Sequence, residues 1–306
     1  MSSLLTNSAA MTALQTLTAT NKKMEVTQNR IATGMRVSSA ADNAAYWSIA
    51  TTMRSDNKAL GAVQDALGLG AATVDVMYTA LNSTVDVVSE IKAKLTAARQ
   101  PGVDRGKIQD EIGELQNQLR NIGASAVFNG QNWLSFDSSA AGFNNTREIV
   151  SSFTRAADNS VTLQTITVNL GDIALFDANG NAGILDTETT GPGGAFSVAN
   201  LNIGALTDSA ADLDQLDAMI GHVDTQLGAI TDAATNLGAI KNRIGLQQDF
   251  VKALKDAIDR GVGQLVDADM NAESTRLQAL QVQQQLGIQA LSIANSNSQN
   301  ILSLFR

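Results

Sequence analysis

Apolar side chains recur every three or four residues along the first 35 positions, a spacing that predicts an amphipathic helix. The alternation of three and four is that of the a and d positions of a coiled-coil heptad, although polar residues interrupt it twice. The positions are Leu14, Leu17, Asn21, Met24, Gln28, Ile31 and Met35.

The last 40 residues repeat this pattern in a second predicted helix. Its apolar seam consists of Met270, Leu277, Leu280, Leu291, Ile301 and Phe305, with Gln284, Gly287 and Ala294 in the gaps. Two interrupted heptad helices at opposite ends of one chain favour pairing with each other and with other copies. Two ordinary surface helices on a globular core would show the same periodicity, so the pattern alone leaves both interpretations open.

Long helices are predicted between these ends and the middle of the chain. Apolar positions keep helical spacing from about Asn43 to Ala98, where Gln100-Pro101-Gly102 ends the run. A shorter helix follows from Asp104, a favourable N-cap, to about Gly123. Helical spacing resumes from Ala210 to about Val266. At about 1.5 Å per residue, the first of these helices would exceed about 80 Å.

The segment from about 144 to 203 differs in kind, because Thr, Val, Asn and Gly are frequent there. Its run TITVNL alternates, so Ile166, Val168 and Leu170 are expected on one face of a strand. Asn179-Gly180 and the run from Gly191 to Gly194 are turn signals. The fold class predicted is mainly α: an antiparallel long-helix hairpin or bundle with coiled-coil terminal helices and a small β-rich insert.

The composition favours long helices with narrow apolar seams and not a thick globular core, since 44% of residues are hydrophobic but only 4% are aromatic. The chain has no cysteine, which removes disulfides and thiolate chemistry. Eleven acidic residues against two arginines lie between Asp137 and Asp217, so this segment carries the whole net charge of −9. No basic patch suggests nucleic acid, no apolar run suggests a membrane, and the N-terminus lacks a cleavable signal pattern.

Candidate chemistry is sparse. The single histidine, His222, lies in a helical run without HExxH or GxSxG, so we expect no catalytic or metal role for it. Gly68 and Gly70 lack the GK[ST] of a phosphate loop, and we expect them to let another helix approach closely. The run from Asp177 to Glu188 has part of a calcium-loop spacing but no glycine at its sharp turn. We therefore expect no enzyme, no cofactor and no metal.

Three runs resemble bacterial flagellins. Arg30 to Ala45 reads RIATGMRVSSAADNAA and continues as YWSIATTMRSDNKALGAVQDALGLG, like the region that follows the first flagellin helix. The closing run from Val266 to Arg306, VDADMNAESTRLQALQVQQQLGIQALSIANSNSQNILSLFR, is similar to the flagellin C-terminus. Phe128-Asn129-Gly130 with Trp133-Leu134 resembles the turn that closes the flagellin helical domain. The short insert and the run AYWSIATTMRSDN resemble the short flagellins of soil and plant-associated α-proteobacteria.

This resemblance implies a structural subunit that self-assembles through its paired terminal helices into a secreted, extracellular helical tube used for motility. It implies five segments: an inner-core helix and spoke over 1–42, a helical domain over 43–140, an outer β-rich insert over 141–205, a returning helical part over 206–266, and a C-terminal inner-core helix over 267–306. The spoke residues implied are Gly34, Arg36 and Asp42.

The partners implied are other copies of the chain, the flagellar type III export apparatus, an export chaperone, the filament cap and the hook-junction proteins. Two alternatives share the terminal patterns: a hook–filament junction protein, and a secreted enzyme carried on flagellin-like ends. An intracellular coiled-coil scaffold is a third, which the insert and the specific termini disfavour.

The interrupted seams also predict a coupling of folding to assembly. Two thin helices with polar positions in their seams bury little apolar surface against each other, and ordering them costs conformational entropy. Neighbouring copies must then supply the remaining burial. We predict that the terminal helices become ordered only on polymerisation.

Overall fold

A computed structural model describes residues 7–179 and 182–303, with side chains described up to residue 296. The helices are α1 (Ser8–Thr33), α2 (Ala44–Ala98), α3 (Arg105–Ser125), α4 (Ala210–Val266) and α5 (Met270–Ser303). The strands are β1 (Val127–Phe128), β2 (Gln131–Asn132), β3 (Ser135–Phe136), β4 (Thr146–Arg155), β5 (Val161–Asn169), β6 (Phe176–Asp177), β7 (Thr189–Gly191) and β8 (Gly194–Phe196). The predicted fold class, mainly α with a small β-rich insert, is confirmed.

The described residues form two compact units, one containing the residues up to Lys58 and from Lys255 onward, the other containing Ala59–Leu254. Helices α2 and α4 each contribute to both units. The first unit holds α1 and α5, and the second holds α3 and all the strands.

Helix α2 runs for 55 residues, as its spacing predicted, because no proline or capping signal interrupts it. Its fully buried side chains fall at helical intervals in the second unit: Leu67, Val74, Met77, Leu81, Val88, Ile91 and Leu95. The turn that ends it contains Gly102 at a φ of 77°, in the left-handed region that glycine adopts without strain.

Helix α4 lies antiparallel to α2 within the second unit. Lys92 Nζ is 2.5 Å from Asp224 Oδ1, and Arg99 Nε is 2.7 Å from Asp217 Oδ1. Residue numbers therefore rise along α2 as they fall along α4. Helix α4 has a buried residue at every seventh position, the spacing of a helical seam: Leu216, Val223, Ile230, Leu237 and Ile244.

Helix α3 begins at the predicted N-cap, where the Asp104 carboxylate accepts a hydrogen bond from Lys107 N at 3.3 Å. The buried Arg105 follows, and its guanidinium donates to Ala98 O at 3.0 Å and to Asp208 Oδ1 at 2.7 Å. One side chain therefore joins the end of α2, the start of α3 and the segment that leads into α4.

The insert is built around one antiparallel hairpin, in which β4 Ile149 pairs with β5 Ile166 and a bulge falls between Val150 and Ser152. The predicted alternation is confirmed: Ile166, Val168 and Leu170 are buried, whereas Thr165, Thr167 and Asn169 are exposed. The predicted glycine turn joins β7 to β8. The other turn signal, Asn179-Gly180, lies partly outside the described residues.

Glutamine side chains satisfy the irregular backbone that returns from the insert. Buried Gln116 Nε2 donates to Val198 O at 3.0 Å and to Leu201 O at 3.1 Å. Gln109 Oε1 accepts from Ile203 N at 2.8 Å. Because buried backbone groups need hydrogen-bond partners, α3 holds a segment without regular structure in place.

The expectation that Gly68 and Gly70 admit another helix is wrong. A methyl group built on Gly70 would lie 2.4 Å from Ile149 Cγ2, so it is strand β4 that approaches α2 at this point. Nothing lies within 4 Å of the same position on Gly68. Small residues in a helix indicate a close neighbour but do not identify the kind of element.

Candidate assembly interface

The helices from the two chain ends pair antiparallel in the first unit. Asn7 Nδ2 donates to Ala294 O at 2.9 Å, and Gln284 Nε2 donates to Asn21 Oδ1 at 2.9 Å. Near the other end of the pair, Arg30 Nη1 is 3.0 Å from Glu273 Oε1. The paired residues have falling numbers on α5 as their numbers rise on α1, so side chains 243 to 287 positions apart in the sequence lie side by side.

The buried and half-buried face of α1 follows steps of three and four, as predicted, but only partly through the predicted residues. Leu17, Met24 and Ile31 lie on this face. Its other members are Ala10, Ala13, Thr20 and Thr27. The predicted Leu14 is 54% exposed, because the face passes through Ala13, one residue round the helix. The predicted and the observed heptad registers share these three residues. The prediction chose the wrong register because leucine is more hydrophobic than the alanine and the threonines that are buried instead.

Met35 does not belong to the helix in which it was predicted. Helix α1 ends at Thr33 because Gly34 adopts a φ of 70°, a left-handed C-cap that stops the helical hydrogen bonding. Met35 instead forms an isolated antiparallel bridge with Asp267.

On α5 the predicted Leu277, Leu280 and Leu291 lie on the half-buried face, together with the residues expected in its gaps, Gln284, Gly287 and Ala294. Leu280 is 6% exposed. Met270 is the first residue of the helix and is exposed. Ile301 lies in α5 beyond the described side chains, and Phe305 lies outside the described residues.

Glu273 is a buried member of this face that the hydrophobic pattern did not predict. Its carboxylate lies against Arg30 and against Arg276 Nη1, at 3.0 and 3.1 Å. Glu273 stands four residues before Leu277, so the two share a face of the helix. A charged residue at that spacing does not by itself indicate burial.

Both helices keep large apolar side chains exposed away from their mutual contact. The exposed members are Met11, Leu14 and Val26 on α1, and Met270, Val282, Leu286, Ile288 and Ile293 on α5. Leu286 is 58% exposed and Ile293 61%. Eight such side chains on two paired helices make a surface that is costly to leave in water.

The predicted spoke residues meet the break between α4 and α5. Gly34 O accepts from Ala268 N at 2.9 Å, and Arg36 N donates to Val266 O at 2.6 Å. The Arg36 guanidinium also donates to Leu265 O at 3.0 Å, satisfying a carbonyl at the end of α4. The α1–α2 and α4–α5 breaks are thus joined by main-chain hydrogen bonds, a pairing that sequence reasoning missed.

Asp42 fixes the loop between α1 and α2. Its Oδ2 accepts from Ser39 N at 2.9 Å and from Ser38 N at 3.0 Å, and from both serine hydroxyls at 3.1 Å. The backbone hydrogen bond from Ser39, followed by the Ser38 hydroxyl, lowers the pKa of this carboxyl. Val37 is buried beside this loop with Ala50, Val262 and Val266.

The candidate chemical groups have structural partners. His222 Nε2 lies 3.2 Å from Thr187 O, and its ring stands edge-on to Phe196 at 5.5 Å between centroids. The Asp177 carboxylate accepts from Ser138 N at 2.9 Å and from Ser138 Oγ at 2.6 Å. Within the described ranges, no cluster of three metal-binding side chains occurs. Across the same ranges, no helix has the length and apolar character needed to cross a bilayer.

Comparison with known proteins gives matches at both ends of the chain. Residues 4–138 match the bacterial flagellin N-terminal helical region, and residues 220–305 match the bacterial flagellin C-terminal helical region, together more than two thirds of the chain. The chain is 52% identical to flagellin C of Rhizobium meliloti (strain 1021) over 322 aligned positions, covering 100% of both proteins. It is 47% identical to a flagellin of Brucella melitensis biotype 1 over 307 positions, again covering 100% of both.

Flagellin A of Rhizobium meliloti (strain 1021) is 43% identical over 396 positions, with 100% of both proteins covered. That alignment is longer than the 306 residues of this chain, so the relative carries additional residues. Among solved structures, Bacillus cereus flagellin matches with a TM-score of 0.41 and 19% identity, over 62% of this chain and 88% of that one.

Proposed function

Because this chain belongs to the bacterial flagellin family, we propose that it polymerises through the paired helices α1 and α5, which supply the contacts between copies. Membership of the family makes the chain an extracellular structural subunit of the flagellar filament and not an enzyme. The observation that carries the proposal is the exposed apolar surface that α1 and α5 keep after pairing.

The proposed interface has two parts. The side chains between α1 and α5, among them Leu17, Met24, Ile31, Leu277, Leu280 and Leu291, hold the pair together. Leu14 and Met270, exposed at 54% and 43%, face neighbouring copies with the other exposed apolar residues. Ile301 and Phe305 continue the same seam in the sequence, and Met35 lies at the joint beside Asp267.

Thin pairing supports the need for other copies. The α1–α5 contact contains Thr20, Thr27, Gln284 and Gly287, which bury little apolar area. A methyl group built on Gly287 would lie 3.4 Å from Leu17 Cδ1, an ordinary van der Waals contact, so the glycine leaves space for a side chain between the two helices. Burial beyond this contact has to come from outside the chain.

We assign the layers of the filament accordingly. Residues 1–42 and 267–306 form the inner layer, with Gly34, Arg36 and Asp42 in the spoke. Residues 43–140 and 206–266 form the surrounding helical layer, and residues 141–205, which contain six acidic residues and two arginines, project outward. An acidic outer face remains solvated and does not attract like-charged neighbours.

The remaining proposed partners act before and at the ends of assembly. The type III export apparatus and an export chaperone handle the chain before polymerisation, and the cap and hook-junction proteins contact the filament ends. The same exposed apolar surface on α1 and α5 supports a chaperone, because it requires cover until other copies supply it.

The test replaces one exposed leucine at a time by aspartate. Leu14→Asp and Leu286→Asp place a charge on the proposed interface, while Leu163→Asp makes the same change at a similarly exposed leucine of the insert, where exposure is 57%. Seeded growth, followed by sedimentation and negative-stain microscopy, is expected to fail for the first two variants and to match the unsubstituted protein for the third. Filaments of normal length from both terminal variants would refute the proposal.

A further inference from the structure

A second apolar surface, outside the terminal helices, lies on α4. Leu246 is 72% exposed and Phe250 56% exposed, and their four-residue separation puts them on one face of the helix. Arg243 stands three residues before Leu246 on the same face and is also exposed. Among the described residues Arg243 forms no ion pair, so this stripe of Arg243, Leu246 and Phe250 is unpartnered within the chain.

A groove of about 220 Å³ lies in the same compact unit, between α2, the β1–β2 turn and β4. Its lining includes Leu69, Gly70, Phe128, Trp133, Glu148 and Ile149. Trp133 and Ile149 are buried, Leu69 is 52% exposed, and Gly70 allows Ile149 to pack directly against the backbone of α2. The groove therefore presents an apolar concave surface of the size that a few side chains occupy.

One charge accompanies the groove. Glu148 is the acidic member of its lining and is exposed, and the described part of the chain offers it no ion pair. The stripe on α4 carries an arginine beside two apolar side chains, and the groove carries a glutamate beside an apolar lining. The two surfaces are therefore both apolar and carry opposite charges.

We propose that the α4 stripe of one copy docks in this groove of a neighbouring copy, with Arg243 opposite Glu148. Among the described residues, the groove is lined by none from α4, so the stripe of the same chain is not seated there. Because the two surfaces lie at different places on the molecule, one copy can use its stripe with one neighbour and its groove with another. Such a heterologous contact extends into an open helical assembly when the rotation between copies does not close a ring.

The proposal rests on the filament function and adds to it a contact outside the terminal helices. The aromatic ring of Phe250 and the guanidinium of Arg243 belong to residue types that are enriched at protein interfaces. The β1–β2 turn at Phe128-Asn129-Gly130 acquires a role in this contact, since Phe128 and Asn129 line the groove.

Charge exchange tests the pairing. Glu148→Arg and Arg243→Glu each place like charges opposite one another, and each is expected to raise the critical concentration for polymerisation by about tenfold or more. The double variant restores opposite charges and the original net charge, and is expected to return to within about twofold of the unsubstituted protein. Glu114→Arg, at an exposed glutamate of α3, is the control for a charge change of the same size and is expected to polymerise normally.

Cross-linking gives an independent measurement, because the chain has no cysteine of its own. Leu69→Cys and Phe250→Cys are made in separate chains, copolymerised and treated with a short bismaleimide. A linked dimer is expected from the mixture and not from either variant alone. Thermal melting of each monomer establishes that the substituted chains are folded.

The outcomes separate this contact from the filament function. Filaments that form without linked dimers, from charge variants whose single and double forms grow alike, would overturn the α4 contact and leave the terminal interface intact. Both contacts would be supported if the Leu14→Asp and Leu286→Asp variants fail to grow and if the double variant Glu148→Arg, Arg243→Glu regains the growth that each single charge variant loses. Normal growth of those two variants would refute the terminal interface, whatever the cross-linking shows.

Discussion

Arg30 in the last turns of α1 and Glu273 in the first turn of α5 form an ion pair at 3.0 Å, joining residues 243 positions apart. The Glu273 side chain is 9% exposed, and within the described structure its Oε2 is buried without a hydrogen-bond partner. A buried carboxylate that loses its cation is strongly unfavourable, whereas an exposed ion pair contributes little. The pair therefore fixes the register of the terminal helices.

Arg30→Ala is expected to weaken assembly more than Arg276→Ala. Arg276 also lies 3.1 Å from Glu273 but is 59% exposed, so its removal leaves the less exposed cation, Arg30, in place beside Glu273. Loss of Arg30 is expected to cost about 1–3 kcal/mol and to raise the critical concentration by about fivefold or more. Sedimentation after seeded growth measures it, and equal effects of the two variants would contradict the role of the buried pair.

Gly70→Ala is expected to destabilise the second unit. The added methyl group would meet Ile149 Cγ2 at 2.4 Å, and the packing of α2 against β4 must shift, at a cost of about 1–3 kcal/mol. Gly68→Ala on the same helix meets nothing within 4 Å and should stabilise the protein by up to about 1 kcal/mol. Thermal denaturation of the monomers compares them. Destabilisation by both substitutions would show that the Ile149 contact is not the cause.

Arg105→Ala is expected to be far more damaging than Arg99→Ala. Buried Arg105 donates to Ala98 O and to the exposed Asp208, so its removal leaves the buried Ala98 carbonyl without this donor and should cost about 1–3 kcal/mol. The Arg99–Asp217 pair is exposed on both sides, so its loss should change the free energy of unfolding little. Urea denaturation followed by circular dichroism gives both values, and a loss below about 1 kcal/mol for Arg105→Ala would be inconsistent with its buried hydrogen bonds.

His222 is expected to make the second unit less stable in mild acid. Burial lowers the pKa of its imidazole below the usual 6.5, opposed by the hydrogen bond to Thr187. The folded state therefore binds the proton less readily than the unfolded state. The stability that the neutral ring contributes is present above about pH 6.5 and is lost as the pH falls toward the lowered pKa.

The measurement is the melting temperature of the protein and of its His222→Gln variant at about pH 7.5 and about pH 5.5. The variant is expected to lose less on acidification. Burial raises the pKa of Asp186, whose contribution changes with the opposite sign, so only the difference between the two proteins reports on His222. An identical drop in both would rule out the histidine as the source.

Hydrogen exchange tests the coupling of folding to assembly. Amides of α1 between Leu14 and Ile31 are expected to exchange freely in the monomer and to become protected in the filament, because the α1–α5 contact alone buries little apolar surface. Amides of α3 serve as the internal control and should be protected in both states. Strong protection of α1 in a verified monomer would contradict this expectation.

The sequence alone determined the elements of this protein. Uninterrupted helical spacing set the bounds of α2 and α4, the Asp104 cap set the start of α3, and alternation in TITVNL set the buried face of β5. These features are local, since each depends on residues within a few turns of one another. The terminal motifs were sufficient to indicate the family before any contact was known.

Tertiary structure decided which face of each element is used and what it meets. The choice of Ala13 over Leu14, the approach of Ile149 to Gly70, and the burial of Glu273 beside Arg30 all depend on residues distant in sequence. Hydrophobic spacing leaves neighbouring helical registers nearly equal, and small or charged residues give no apolar signal. Spacing along one chain segment fixes the period of an element, whereas the identity of its partner is set by the packing energy of the folded chain.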